Sequence, residues 1–476
     1  MNSLSVSSVA AMLLTMALAS SCGGRLPAGR ASSAIEGSAT ASFDRPHWAA
    51  RVREEILHAW RGYERYAWGH DELLPISRRG RDWYGQSLEM TPVDALDTLI
   101  LTGLKAEADR ARLLIVETLS FDRDVSVQNF EVTIRLLGGL LSGYELTGDA
   151  RLLALAEDLG RRLLPAFGSA TGMPYRFVNL RTGSVSGGRS NPAEIGTLVL
   201  EFGTLSRLTG RPVFLEKARN ALVQLYRRRS KIGLVGEEID VETGEWVSRA
   251  SHAGGGIDSY YEYLLKCARL FGDGDCGRMW RESVRALNAY LADEAPSGLW
   301  YGQADMVTGA RTASEFGALH AFLPAVLALG GDLPRARRLQ DSCWRMWMLD
   351  GIEPELLDYR AMRVLEPAYA LRPEIAESAY CLRRLTKDPR YLEMGRALFE
   401  GLLRHCRVDA GYTVLSDVAA KKKGDLMPSY FLAETLKYLY LLFAPDAALD
   451  FDRVVFNTEA HPLRRDPVGR PAGTAR

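Results

Sequence analysis

Between residues 47 and 443 the chain carries apolar residues at helical spacing in fourteen successive stretches. They lie near 47–66, 93–105, 107–120, 128–147, 150–166, 193–209, 212–229, 257–272, 274–293, 313–329, 332–348, 372–387, 389–405 and 427–443. Short turns split neighbouring stretches: Thr147-Gly148-Asp149, Thr209-Gly210-Arg211, Gly272-Asp273 and Lys387-Asp388-Pro389. Gly stops a helix because it enters left-handed backbone at little cost, and Asp or Pro restarts the next. Longer, Gly-rich segments (167–192, 231–256, 294–312 and 349–371) join one pair to the next. A helical hairpin cannot bury its apolar stripe alone, so seven of them must stack to make one core. The expected fold is therefore all-α, a closed ring of seven helical hairpins, with an open helical solenoid as the alternative. Strand-like runs at 176–180 and 452–456 predict small β-hairpins at one rim.

A length of 476 residues suggests about three domains on size alone. A ring can outgrow that limit, so one domain over 46–462 is expected. With 47% hydrophobic and 25% charged residues, neither extended disorder nor a multi-span membrane protein fits. Lys+Arg and Asp+Glu number 59 each, so no global field draws in nucleic acid, which is excluded as a partner. Ala10 to Ala19 form a short apolar run followed by a small-x-small site, Ala17-Leu18-Ala19, which reads as a signal peptide over 1–22. Ser20-Ser21-Cys22 before Gly23-Gly24 offers a lipid anchor at Cys22. The expected location is exported, in a bacterial periplasm or as an outer-membrane lipoprotein. Residues 23–45 read as a linker, 463–476 as a polar tail, and a monomer is expected. Cys267, Cys276, Cys343, Cys381 and Cys406 show no metal spacing and read as small buried hydrophobes. A Cys267–Cys276 bridge has no motif behind it.

No phosphate loop, dinucleotide fingerprint, nucleophile elbow, zinc motif or EF-hand is present. What needs explaining is acids inside apolar helices or at their starts. Glu131 lies in Phe130-Glu131-Val132-Thr133-Ile134-Arg135, where it is either an ion-pair partner of Arg135 four residues on or an acid with a pKa raised by burial. In Arg372-Pro373-Glu374-Ile375-Ala376-Glu377, Pro373 suits the first helical position. Glu374 then gains from the helix dipole, which favours the ionised form a general base needs. Glu377 repels it from the same face. Asp258 follows three glycines, as a helix cap or beside a closely approaching ligand. Glu434 sits in the almost wholly apolar stretch 430–443, needing Lys437 or a hard cation and its water. In Asn457-Thr458-Glu459-Ala460-His461, a polar turn by the plainer reading, the Thr458 hydroxyl and carbonyl make an all-oxygen pair suited to Ca²⁺. Glu194 and Glu201, seven apart, are a weaker pair on one helix face. Such acids, focused into a ring's cavity with one acting as acid and one as base, are what inverting glycoside hydrolysis requires.

These strings, together with 67–75 and 93–99, resemble glycoside hydrolase family 47, the class I α-1,2-mannosidases, over about 47–462. Leu319-His320-Ala321-Phe322 and the stretch 411–423 look closer to its ER-degradation-enhancing branch, while the leader looks bacterial. The resemblance implies an (α/α)₇ barrel and an exo-acting, inverting hydrolase of terminal α-1,2-mannose on mannans or high-mannose oligosaccharides. It implies Ca²⁺ held by Thr458, with waters supported by Glu194, Glu377, Glu434 and Glu459. Glu131 would be the general acid near Arg135, with Glu374 the candidate base and Asp258 the other acidic player. Arg372 would touch substrate, and Tyr430, where the family has Phe, would lie under the sugar. Ala318, Gly256 and Pro428 depart from the family pattern, and Ala321 opposite Cys343 removes its disulfide. A weakly catalytic mannose-glycan binder of the same fold is the alternative, as is another carbohydrate-active α/α barrel without calcium.

Overall fold

The computed structural model describes residues 43–465. The expected signal segment 1–22, its Cys22 anchor, most of the linker and the tail from 466 lie outside the described residues. Phe43 packs on Trp48 and Phe443, and the first helix, Arg45–Tyr66, takes in an arginine expected in the linker.

Six hairpins follow along the chain. Met90–Leu101 pairs with Lys105–Thr118, 129–147 with Ala150–Leu163, and Val199–Thr209 with Pro212–Arg227. Asp258–Phe271 pairs with Gly274–Ala286, Leu323–Leu329 with Leu333–Asp350, and Glu374–Thr386 with Arg390–His405. The seventh pair joins opposite ends of the domain, Leu436–Phe443 packing on Arg45–Tyr66. The first helix of each sequential pair touches its counterparts on both sides, and the last segment closes the circle against Met90–Leu101. The result is an (α/α)₇ barrel, and the open solenoid is excluded because the two ends meet. Inner and outer helices differ in burial. All nine residues from Glu374 to Leu382 are buried, whereas Lys105–Thr118 buries only Ala108, Ala111 and Ile115, a single-faced pattern.

Each hairpin runs inner helix, short turn, outer helix. Gly148, Gly210 and Gly272 end three inner helices at φ of 73°, 72° and 69°, where a Cβ would be strained. All short turns therefore lie at one end of the barrel. The longer connections at the other end form small antiparallel sheets of two or three strands, including Phe177–Asn179. The inner helices consequently aim their N-termini at the β-rich end.

Three expectations are corrected here. Glu315–Gly317, expected to be helical, is a strand paired with Leu356–Asp358; Phe316 faces the core while Glu315 faces out, a period of two. The stretch from Pro192 is two helices, Pro192–Gly196 and Val199–Thr209, so Glu194 and Glu201 do not share one face. The tail does not begin at 463: Pro462–Arg464 is a strand paired with Val454–Phe456, and the Arg464 amide donates to Glu145 at 2.7 Å. Cys267 and Cys276 are joined in a disulfide, while Cys343, Cys381 and Cys406 are buried free thiols, as expected.

Candidate active site

The hairpin Val454–Phe456/Pro462–Arg464 enters the barrel from the short-turn end, where Arg464 and Arg465 carbonyls accept from Arg207 (2.6 and 3.1 Å). Its tip is polar yet Asn457 and His461 are wholly buried, so each polar group there needs a partner. Asn457 supplies most of them. Its Oδ1 accepts from the Glu459 and His461 amides (2.9 and 2.8 Å), and its Nδ2 donates to Ile134 O and Glu201 (2.9 and 2.8 Å). The His461 ring lies between Asp97 (2.7 Å) and Asp94 (3.1 Å). Lys437 Nζ is 2.6 Å from Asp97 and donates to Ala460 O at 2.7 Å, holding Ala460 in left-handed backbone (φ 59°). Burial alone would raise the Asp97 carboxyl; Lys437 and His461 overcome it and hold it at about 2. Burial would lower His461, but Asp97 and Asp94 raise it, favouring the imidazolium.

Beyond this fastener, toward the β-rich end, opens a pit of about 240 Å³. Among its lining residues are six carboxylates (Glu131, Glu194, Asp258, Glu374, Glu434 and Glu459) but only two guanidiniums, Arg135 and Arg372. Thr458 and Tyr430 also line it. Local structure explains the convergence. Glu131, Glu194, Asp258 and Glu374 stand in the first turns of four inner helices, whose positive dipole ends favour carboxylates. Asp258 is the first residue of its helix rather than the cap, which is Ile257, and its Oδ1 accepts from the Ser259 amide at 2.8 Å. Pro373 is the cap, so Glu374 takes the first helical position. Leu371 adopts φ 64°, and its carbonyl accepts from Thr435 (2.7 Å), fixing the turn that delivers Arg372 and Glu374. Single π-helical turns, Thr133–Leu137 and Phe431–Thr435, carry Arg135 and Glu434.

The partners sort these acids. The ion pair expected at Glu131 exists: Arg135 Nε donates to it at 2.8 Å and also bonds Glu459 through Nη1. Both oxygens of Glu194 are engaged, by Arg176 (2.7 and 2.8 Å) and Gln128 (2.9 Å), and Asn191 caps its helix. Arg372 forks onto Glu355 (2.9–3.2 Å), and the Tyr430 hydroxyl donates to Ala370 O at 2.5 Å, fixing its ring beside both guanidiniums. Glu377 is not on the pit wall but a turn deeper, 3.8 Å from Lys266 and accepting from Tyr438 at 3.4 Å. Lys437, the expected partner of Glu434, is spent on Asp97; among the described residues no hydrogen bond or ion pair reaches the Glu434 carboxylate.

Burial therefore governs the remaining acids. It pushes Asp258 up to about 7, with repulsion from Glu262 adding and the Ser259 amide, His252 and Arg372 only partly opposing, and Glu374 to about 8, with Glu355 and Asp258 adding and Arg372 only partly opposing. This corrects the expectation that the helix dipole keeps Glu374 ionised: in a site without a bound cation, desolvation outweighs it. Glu377 rises to about 8 for the same reason, against Lys266, and Glu434 is raised far above the usual range by burial and by Glu459, Glu374 and Glu377. Glu459 rises through burial despite Arg135.

The pit thus gathers Glu131, Arg135, Glu194, Asp258, Arg372, Glu374, Tyr430, Glu434, Thr458 and Glu459, with Glu377 just behind. Four supporting residues escaped the sequence reading. Asp94 and Asp97 follow the rule that flagged Glu434, acids inside an apolar helix; His461 and Glu355 carried no such signal.

Comparison with known proteins follows the same lines. Residues 55–465 match glycosyl hydrolase family 47. Alpha-mannosidase I MNS5 of Arabidopsis thaliana is 39% identical over 443 residues, 87% of this chain and 76% of that protein. ER degradation-enhancing alpha-mannosidase-like protein 2 of Homo sapiens is 39% identical over 461 residues, 89% of this chain and 78% of that protein. The solved alpha-1,2-mannosidase from Trichoderma reesei superposes with a TM-score of 0.82 at 27% identity, covering 88% of this chain and 99% of that one.

Proposed function

The chain belongs to glycosyl hydrolase family 47 and is a glycoside hydrolase, and on that premise we propose that it is an exo-acting, inverting, Ca²⁺-dependent α-mannosidase. Its substrate is terminal α-1,2-linked mannose on mannans or high-mannose oligosaccharides, the α-1,2 linkage being the one named for the Trichoderma reesei enzyme it resembles. One observation carries the reading: acids from four inner helices and the C-terminal hairpin converge on one pit around Thr458, with far more negative than positive groups.

That donor set fits a calcium ion. It is all oxygen, and buried carboxyls such as Glu434 lack a protein partner. Thr458 would hold the ion through its hydroxyl and carbonyl, with Glu194, Glu377, Glu434 and Glu459 holding its waters. When bound, the ion supplies positive charge to carboxylates that repel one another and a grip on two mannose hydroxyls.

The chain's own groups do the rest. Arg135, fixed by Glu459, aims Glu131, which delivers a proton toward the leaving oxygen through a water. Glu374 or Asp258 takes a proton from the attacking water on the opposite face, as inversion demands. Arg372, braced by Glu355, and the immobilised Tyr430 ring position the sugar. The Cys267–Cys276 disulfide supports export to an oxidising compartment, in keeping with the expected signal segment and the proposed location in a bacterial periplasm or as a lipoprotein.

The test is hydrolysis of mannobioses that differ only in linkage, with calcium and with EDTA, following the first-formed mannose by NMR. Calcium-dependent release of β-mannose from the α-1,2 isomer is expected. An α product, or a rate indifferent to chelation, contradicts the reading.

A further inference from the structure

We infer that Glu353, behind the wall of the pit, is a positioning residue: its protonated carboxyl donates a hydrogen bond to Glu374 and keeps that candidate base ionised. The inference rests on the α-mannosidase reading and deepens it. Glu353 sits in the loop between the outer helix that ends at Asp350 and the strand Leu356–Asp358. It does not line the pit, yet it is wholly inaccessible. Among the described residues neither of its carboxyl oxygens has a hydrogen-bond partner. Glu355, two residues on, is by contrast engaged by Arg372 and by the Ala370 amide, each at 2.9 Å. A buried charge needs a partner, and the one guanidinium that acts on Glu353 is Arg372, already forked onto Glu355.

A carboxyl so placed keeps its proton, and the O–H then needs an acceptor. Glu374 offers one: its Oε2 is buried and equally without a partner, and Glu374 is the strongest charge acting on Glu353, ahead of Glu355. Two neighbouring carboxyls in a low dielectric share one proton rather than both ionising. Burial, then Glu374 and Glu355, drive Glu353 far above the usual carboxylate range, whereas Glu374 reaches only about 8, so the proton rests on Glu353. An O–H donated to a carboxylate is charge-assisted and favours its ionised form, in which Glu374 can take a proton from water. The other titratable groups facing Glu353 are the Cys343 thiol and the Tyr369 hydroxyl, which donates to Arg372 O at 3.3 Å. Gln340, one turn before Cys343, has the rival acceptor: its Nε2 donates to Ile375 O at 3.2 Å, and its buried Oε1 has no partner.

The pH dependence of kcat/KM for calcium-loaded enzyme on α-1,2-mannobiose tests this, because a neutral substrate leaves the acidic limb to the base of the free enzyme. Glu353→Leu, which fills the space without a donor, should move that limb up by about one pH unit or more, the worth of one charge-assisted hydrogen bond, with KM little changed. Glu353→Gln keeps a donor and should return the limb to its parental position. A merely structural residue would lower the rate at every pH and leave the limb where it was. An unmoved limb in Glu353→Leu overturns the inference and gives the proton to Gln340. A limb that Glu353→Gln fails to restore, or moves downward as loss of a negative charge would, overturns it as well. Infrared spectra in heavy water at neutral pH decide the matter even if the leucine variant does not fold. The difference between parent and Glu353→Gln should contain the carbonyl stretch of one buried, protonated carboxylic acid, and its absence overturns the inference. A parent enzyme that turns over no mannobiose sinks the α-mannosidase reading, and the base role with it, while the infrared band still locates the proton.

Discussion

Two groups of buried acids share the barrel, and they are treated in opposite ways. In the fastener, Asp94 and Asp97 are wholly inaccessible, yet Lys437, His461, Ser142 and Ser429 meet them, and Asp97 stays ionised down to about pH 2. In the pit, Glu374 and Glu434 are also buried and Asp258 partly so, but desolvation and repulsion push them toward the protonated form. The first group is neutralised by the protein itself and holds the hairpin in place. The second is left with surplus charge, which a fold tolerates where a ligand brings the missing partner. The acids that fasten the hairpin and those proposed for catalysis thus meet at Arg135, which touches both groups (Asp94 at 3.6 Å, Glu131 at 2.8 Å).

Mutations can break that division. Glu131→Gln should cut kcat by about a thousandfold, the typical worth of positioned proton transfer, with melting temperature no lower than the parent. Near-normal turnover would remove Glu131 from its role. Asp97→Asn should do the reverse first, lowering unfolding free energy by about 3 kcal/mol in urea titrations, because it strands Lys437 and His461 in the interior. Full stability in that variant would show that the fastener fastens nothing. Saturating calcium at about a hundredfold its Kd should add roughly 2.7 kcal/mol of stability, lost on chelation and largely absent in Thr458→Ala. A chelator response unchanged by that substitution would show that Thr458 is not a ligand.

The smallest effect concerns acid. Asp97 has a folded pKa near 2, below the roughly 3.9 of an unfolded aspartate, so its contribution is present above about pH 4 and lost as pH falls toward 2. That contribution is roughly 2–3 kcal/mol. The pit acids have the opposite sign. With Glu374 near 8 and Asp258 near 7, the calcium-free protein loses stability as pH rises from about 4 to 8. Equilibrium unfolding against pH should show a maximum in mild acid without calcium and a flatter profile with it.

Much of this was legible in the residues. Helical spacing and Gly-stopped turns predicted the helical stretches and the pairing of sequential neighbours, since those signals are local, but not the seventh pair, which joins the first and last stretches. Acids such as Glu131 and Glu434 stood out because an apolar context makes charge expensive. What escaped was long-range. Nothing near Lys437 says that it serves Asp97 rather than Glu434, because that choice is made across 340 residues of sequence by barrel closure. The upward push on Glu374 was hidden for the same reason: its helix position and the neighbouring Arg372 are local, but its burial and the charges of Glu355 and Asp258 come from elsewhere in the chain. Glu315–Gly317 went to a sheet because its partner strand, Leu356–Asp358, lies some forty residues away.

The hairpin that carries Thr458 comes from the last dozen described residues, yet its tip sits at the centre of the barrel. The order of synthesis is thereby built into competence. A nascent chain that has made its first thirteen helices owns every candidate proton-transfer residue, Glu131, Asp258 and Glu374, and still has a cylinder open at one end. The floor that gathers those residues is thus laid down after all of them, by the hairpin that brings Thr458 to the centre.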